Sequence, residues 1–183
     1  MNETLKTIAE RYSCRAFKDT PLTDEQLKAI IDAALASPSA VNRQPWHIIA
    51  ITDKSFIDEM EAESMKALAA ANQATYERMK ERGGKIFYNA PCMFMIASDG
   101  SNWAAMDCGI LSQTVSLAAQ SLGLGSLICA MGNMPLNGPR GEEFKKRMQF
   151  PEGYEFGIAI LLGTPNTSKA PHEPNPEKVT YIS

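Results

Sequence analysis

The chain has 183 residues, which at about 100–200 residues per domain makes residues 1–183 a single domain and excludes a multidomain machine. Apolar residues are 44% and charged residues 21%, the balance of a folded domain, so neither disorder nor a fibrous repeat fits. The net charge is −3 with no long run of one sign, which argues against nucleic acid or an anionic membrane as main partner, since both need a concentrated basic surface.

Four cysteines, Cys14, Cys92, Cys108 and Cys129, stand far apart with no CxxC pair and no nearby histidine. The ligand spacing of a zinc or iron–sulfur site is missing, so no metal is expected and the thiols are expected reduced and packed. The N-terminal MNETLKTIAERYSCR carries charge where a signal peptide needs an apolar core, and no apolar stretch reaches the roughly 20 residues that span a bilayer. A cytoplasmic location is expected.

The first strong helix is announced by Thr23-Asp24-Glu25-Gln26, a capping box in which the Thr hydroxyl and Gln amide satisfy each other's free backbone N–H groups. Leu27, Ile30, Ile31, Ala34 and Leu35 follow at helical spacing and stop before Pro38. After a polar turn, Trp46 to Thr52 reads as a buried strand. Residues 55–82 favour one or two helices closed by Gly83-Gly84 as a stop signal. Cys92 to Ala97 is a second apolar strand, and Trp103 to Leu122 a helix that is apolar nearly all round. One small domain rarely encloses such a helix, so Ala104, Ile110, Leu111, Val115 and Leu117 are expected to pack on a second subunit. Ser126 to Ala130 suggests a third strand, Pro139 to Met148 a short helix and Phe156 to Leu162 a fourth strand. The tail from Gly163 carries four of the 11 prolines and a strand-like end, Lys178 to Ile182, so it is expected to run along a surface.

Several chemistries fail on spacing. There is no GxxxxGK[ST] loop, no HExxH and no GxSxG, and Gly123-x-Gly125 follows a helix and precedes a strand, the reverse of the order a dinucleotide fingerprint needs. Two polar clusters remain. In Arg11-Tyr12-Ser13-Cys14-Arg15-Ala16-Phe17 the alternation puts two guanidiniums and a hydroxyl on one side of an extended chain, a face that suits a phosphate. The same residues also fit a solvated polar edge, the commoner use of exposed arginine. Ser37 to Trp46 sets Ser39, Asn42 and Gln44 between two prolines, and a plain helix–strand connector is the competing interpretation.

Taken in order, Arg11-x-Ser13-x-Arg15-x-Phe17 and Ser37-Pro38-Ser39-Ala40-x-Asn42-x-Gln44-Pro45-Trp46 resemble the N-terminal signature of the nitroreductase-like flavoproteins. Asn89-Ala90-Pro91 before a strand, Asp107 to Leu122 ending in Gly123-Leu124-Gly125-Ser126, and Leu161-Leu162-Gly163-Thr164-Pro165 extend the resemblance over nearly the whole chain.

The resemblance implies an α+β fold, nitroreductase-like, with a central mostly antiparallel sheet flanked by helices. It further implies a homodimer whose C-terminal extension, here 163–183, is exchanged between subunits, with FMN at the interface. Carried over residue by residue, Arg11, Ser13 and Arg15 match positions that hold the FMN phosphate and the pyrimidine edge, with Arg15 beside N1 and O2. Pro38, Ser39, Ala40 and Asn42 match the loop reaching FMN from the other subunit, with Gln44 as its support. Asn72 lies at the spacing of an Asn that touches the ring, against the alternative of an exposed helical amide. Ala130 or Met131 matches the backbone N–H donor near N5, and Lys169 or His172 matches a basic residue by the phosphate, with a solvated tail as the alternative. The implied activity is ping-pong hydride transfer from NADH or NADPH through flavin N5 to a nitroaromatic, quinone or similar conjugated small molecule, with no catalytic side chain. A non-catalytic FMN-binding or sensing protein, and a flavin dehydrogenase or dehalogenase dedicated to one metabolite, remain alternatives. The tract 65–85 is expected to border an open pocket.

Overall fold

Thr23 starts a helix as its capping box requires: Gln26 N–H donates to Thr23 Oγ1 at 3.2 Å, and Thr23 N–H to Gln26 Oε1 at 3.0 Å. The computed structural model describes residues 1–81 and 83–182; Arg82 and Ser183, the last residues of the expected helical stretch and of the expected arm, lie outside that description. The elements in chain order are α1 (Glu3–Glu10), α2 (Asp24–Leu35), β1 (Trp46–Ile51), α3 (Lys54–Ala71), α4 (Gln73–Glu81), β2 (Cys92–Ser98), α5 (Ala104–Ser121), β3 (Gly125–Cys129), α6 (Gly141–Arg147) and β4 (Glu155–Gly163). Short 3₁₀ turns cover Ala40–Asn42, Ala130–Asn137 and Pro176–Lys178.

The four strands form one sheet in the order β1-β2-β4-β3, every pair antiparallel. Alternation along each strand builds two cores. Phe94, Ile96, Ile160 and Leu162 face α2 and α5, while Met93, Met95, Ala159 and Leu161 face α3, α6 and the segment around Phe87. β2 is buried along its whole length. All four cysteines are buried and free.

The α+β fold with an antiparallel sheet stands, but several local expectations change. The run from Trp46 is an edge strand and not a buried one: His47 and Ala50 are exposed because only β2 pairs with β1. α1 and the 3₁₀ turn Ala130–Asn137 are elements the sequence did not announce. In α5, Ala104, Leu111 and Val115 are enclosed by the chain itself, because α5 lies on the sheet with α2 against its flank. The apolar surface left over on and just before this helix is Trp103 at 64%, Met106 at 58% and Ile110 at 36% exposure. The expected strand at Lys178 to Ile182 is absent: a 3₁₀ turn over Pro176–Lys178 precedes an irregular end, since a lone strand has no ladder partner within its own chain.

Candidate functional site

The basic segment is pinned to the sheet by its backbone. Ser13 forms a parallel bridge with Ser126, Cys14 N–H donates to Ser126 O at 2.9 Å, and Phe17 bridges Pro165. This extended docking turns Cys14 and Phe17 inward at 0% and 3% exposure. Arg15 faces out, with Arg11 and Ser13 half-buried. Among the described residues no carboxylate pairs with Arg11 or Arg15, and neither these guanidiniums nor the Ser13 hydroxyl has a hydrogen-bond partner. Every other arginine of the described chain is engaged by a side chain.

Arg15 also faces the end of β3. Burial pushes the Cys129 thiol pKa up, against the pull of the Met131 and Gly132 backbone N–H groups and, more weakly, of the Arg15 charge. Cys129 leads directly into the turn carrying Ala130, which is exposed, and Met131, which is half-buried. The tail starts here as well, because Tyr12 Oη donates to Thr167 O at 2.8 Å. Lys169 lies two residues beyond this tether, and it and His172 are exposed.

The second cluster is a constrained loop. Gln44 N–H donates to Ser39 Oγ at 2.9 Å and Gln44 Nε2 to Asn42 Oδ1 at 3.0 Å, so Gln44 is the support expected of it. Val41, Asn42 and Gln44 all sit in the left-handed region, with φ of 50°, 54° and 50°. For a β-branched residue such as Val41 this is an outlier, and strain of this kind concentrates where a ligand is bound. Val41 is 97% exposed, so its own packing does not hold it there. The loop is anchored instead through Ala40, whose N–H donates to both oxygens of Asp107 at 3.2 and 3.3 Å. Pro38, Ser39 and Ala40 continue onto Trp103, Met106 and Ile110 in a shallow apolar hollow.

These two clusters dock at opposite ends of α5. Ser13 bridges Ser126, just past the Gly123 turn that ends the helix, while Ala40 is held by Asp107 in its first turn. The 18 residues of α5 span about 27 Å at the helical rise. One chain does not bring Arg11, Ser13 and Arg15 together with Ser39 and Asn42. Asn72 serves its own helix end, where its Oδ1 accepts from Thr75 N–H at 2.9 Å and caps α4 just after α3 stops. Asp107 was not foreseen, since its partner lies 67 positions away. The only available signal was an acidic residue in the first turn of an apolar helix.

No helix of the described chain is long and apolar enough to cross a membrane. The chain is 50% identical to a solved nitroreductase with bound FMN from Desulfitobacterium hafniense, each chain covered over 100% of its length, with a TM-score of 0.95. It is 30% identical to the NADPH-flavin oxidoreductase of Vibrio harveyi, over 91% of this chain and 67% of that protein. It is 26% identical to an FMN reductase [NAD(P)H] of Bacillus subtilis over 100% of this chain and 76% of that protein. The model of the Nitroreductase family matches residues 8–164, which take in both polar clusters and the whole sheet, and the chain belongs to that family.

Proposed function

We propose that the chain is an NAD(P)H-dependent FMN oxidoreductase that works as a homodimer, each flavin held between the basic segment of one protomer and the 38–42 loop of the other. The observation that carries this is the state of Arg11, Ser13 and Arg15: their segment is fixed on β3 while their side-chain donors have no partner among the described residues. A rigid face of two free guanidinium forks and a hydroxyl fits a phosphate monoester and the oxygen-rich edge of a flavin, so the residues present suit the group. The FMN-bound relative from D. hafniense supports the same reading.

On this reading Arg11, Ser13 and Lys169 hold the phosphate end. Arg15 puts positive charge at the ring edge, where it favours the electron-rich form. Ala130 and Met131 offer the backbone N–H at the N5 side, and Asn72 has its Nδ2 left to offer the ring, its Oδ1 being used as a cap. Pro38, Ser39, Ala40 and Asn42 come from the second protomer, which removes the α5-length gap between the clusters. The chemistry supplied by FMN is hydride transfer from NADH or NADPH through N5 and onward to a nitroaromatic, quinone or similar conjugated acceptor in two half-reactions. No side-chain acid or nucleophile is needed for it.

The exchanged arm has a seat. β1 is an unpaired edge beside a hollow of about 330 Å³ lined by Ile31, Leu35, Trp46, His47 and Ile48. Val179, Tyr181 and Ile182 stand 54%, 90% and 96% exposed on their own chain, and an extended end can add to an open sheet edge.

The visible spectrum of the purified protein, with release of any chromophore and its identification by mass, tests the proposal. FMN at one per chain, bleached by NADH or NADPH without oxygen, is expected. A protein that takes up no added FMN would overturn the assignment. One that binds FMN but leaves it oxidised in both nucleotides would be a binding protein and not a reductase.

A further inference from the structure

We infer that Asp107 is the positioning residue that holds the 38–44 loop in its FMN-binding conformation, acting through the Ala40 amide. This rests on the FMN reading above.

The loop leaves the body of the protein at Ser37 and returns at Pro45, both buried. Between them the backbone passes through three left-handed residues, a path an L-residue chain does not keep unless its surroundings impose it. Besides the backbone bonds Asn42 N–H to Ser39 O and Arg43 N–H to Ala40 O, which are internal to the loop, four ties that use a side chain are present among the described residues. The Ser39–Gln44 and Asn42–Gln44 bonds close the loop on itself and fix its shape, but they attach it to nothing. Arg43 pairs with Asp99 at 3.1 Å, with its own side chain 56% exposed, and a surface pair of that kind is weak. The fourth tie is different. Asp107 is 3% exposed, and both its oxygens take the single N–H of Ala40, the residue just before Val41. Among the described residues this is the one hydrogen bond that fixes the middle of the loop to a buried side chain of the body.

The arrangement is also what the carboxylate requires. A buried charge needs hydrogen-bond donors, and Asp107 sits in the first turn of α5, where the helix dipole favours a negative group. The acid is held by the helix and the loop by the acid. A residue at one end of α5 thus acts, through the loop its protomer lends, on the FMN seated on the partner's basic segment.

Asp107→Ala and Asp107→Asn separate this from a general packing role, because Asn keeps an oxygen that accepts the Ala40 N–H. Two quantities are measured: hydrogen exchange over 38–45 in the FMN-free protein, and the FMN dissociation constant by flavin fluorescence. Asp107→Ala is expected to lose protection at Ala40 and weaken FMN by about tenfold or more, the size of a lost hydrogen bond to a charged group, with Asp107→Asn within about threefold of wild type. Ala40→Pro, which deletes the donor, is expected to weaken FMN by a similar factor with no further loss when combined with Asp107→Ala. Should Asp107→Ala not fold, exchange over 41–45 in FMN-free Ala40→Pro decides instead: lost protection there is expected, and wild-type protection overturns the inference. Wild-type FMN affinity in either variant overturns the inference, as does Asp107→Asn behaving like Asp107→Ala. If wild type binds no FMN, the flavin reading itself falls, and unchanged exchange at Ala40 in Asp107→Ala then shows that the anchor is wrong as well.

Discussion

A Cβ placed on Gly125 would stand 2.8 Å from the Cβ of Cys14 and 2.9 Å from its sulfur. The segment carrying Arg11, Ser13 and Arg15 therefore lies against β3 at a distance that glycine alone permits. Cys14 has no room to retreat, being fully buried with its N–H bonded to Ser126 O. Gly125→Ala is expected to lower stability by about 1–3 kcal/mol, the usual cost of overpacking, and to lower FMN occupancy with it. Calorimetry and flavin-to-protein absorbance ratios measure both. Unchanged melting with full occupancy would show that the segment is free to shift.

Arg11→Ala and Arg15→Ala are expected to weaken FMN by about 10–100-fold each, since a hydrogen bond to a charged group is worth about 1.5–3 kcal/mol. The melting temperature of the FMN-free protein should stay where it is, because neither guanidinium has a partner in the described chain. Arg15→Ala should also lower the flavin midpoint potential, and Arg11→Ala should not, if Arg15 alone reaches the ring edge. Flavin titration and spectroelectrochemistry read these separately. Equal potentials in the two variants would remove the distinction between the residues.

How much of this was legible in the sequence depends on where the determining contact lies. The Thr23–Gln26 capping box and the all-apolar run of β2 are local and were plain. α1 was not, because it buries no side chain: Leu5 and Ile8 are 52% and 47% exposed, and only the Asn2 cap marks its start. The turn Ala130–Asn137 contains Gly132 and Pro135, which argue against a helix locally. Gly132 is there because a Cβ would come within 2.4 Å of the Ala159 Cβ on β4. The two polar clusters could be picked out by residue type, but not the left-handed path of Val41 and Asn42. Nothing in a valine asks for φ of 50°. Asp107 imposes that path from far along the chain. β1 looked buried because its composition is that of a covered strand, but only its end residues Trp46 and Ile51 are buried and β2 is its one ladder partner among the described residues.

Removing residues 172–183 tests whether the arm of a second copy pairs with β1. The expected result is a chain that still folds, since Val179, Tyr181 and Ile182 make no buried contact at home, but that dissociates at lower dilution than the full protein and loses FMN as it does. Light scattering across a concentration series, with flavin absorbance followed on the same samples, shows whether the two losses coincide. A truncated chain that stays dimeric and fully loaded would remove the arm from the interface.

Glu61 gives the fold a pH dependence whose sign is fixed by its burial. Its carboxyl is 6% exposed and accepts the Phe87 N–H at 2.7 Å. Burial pushes its pKa above the ordinary 4.5, against the pull of the Phe87 and Ile86 N–H groups and of Lys85. A carboxyl with a raised folded pKa binds its proton more tightly in the native state. The unfolded chain releases that proton first, so stability falls as pH rises from the unfolded pKa to the folded one and the penalty is constant above. Glu61→Gln keeps an oxygen for Phe87 and removes the titration. The stability of Glu61→Gln relative to wild type is therefore expected to rise as pH climbs above about 4.5 and then to level off, whatever constant offset the amide brings. Urea denaturation of both proteins between pH 4 and 7.5 measures the difference directly. A difference that is flat across that range would mean that folding leaves the carboxyl's pKa unchanged, and one that shrinks with rising pH that the Phe87, Ile86 and Lys85 groups outweigh burial; either overturns the prediction.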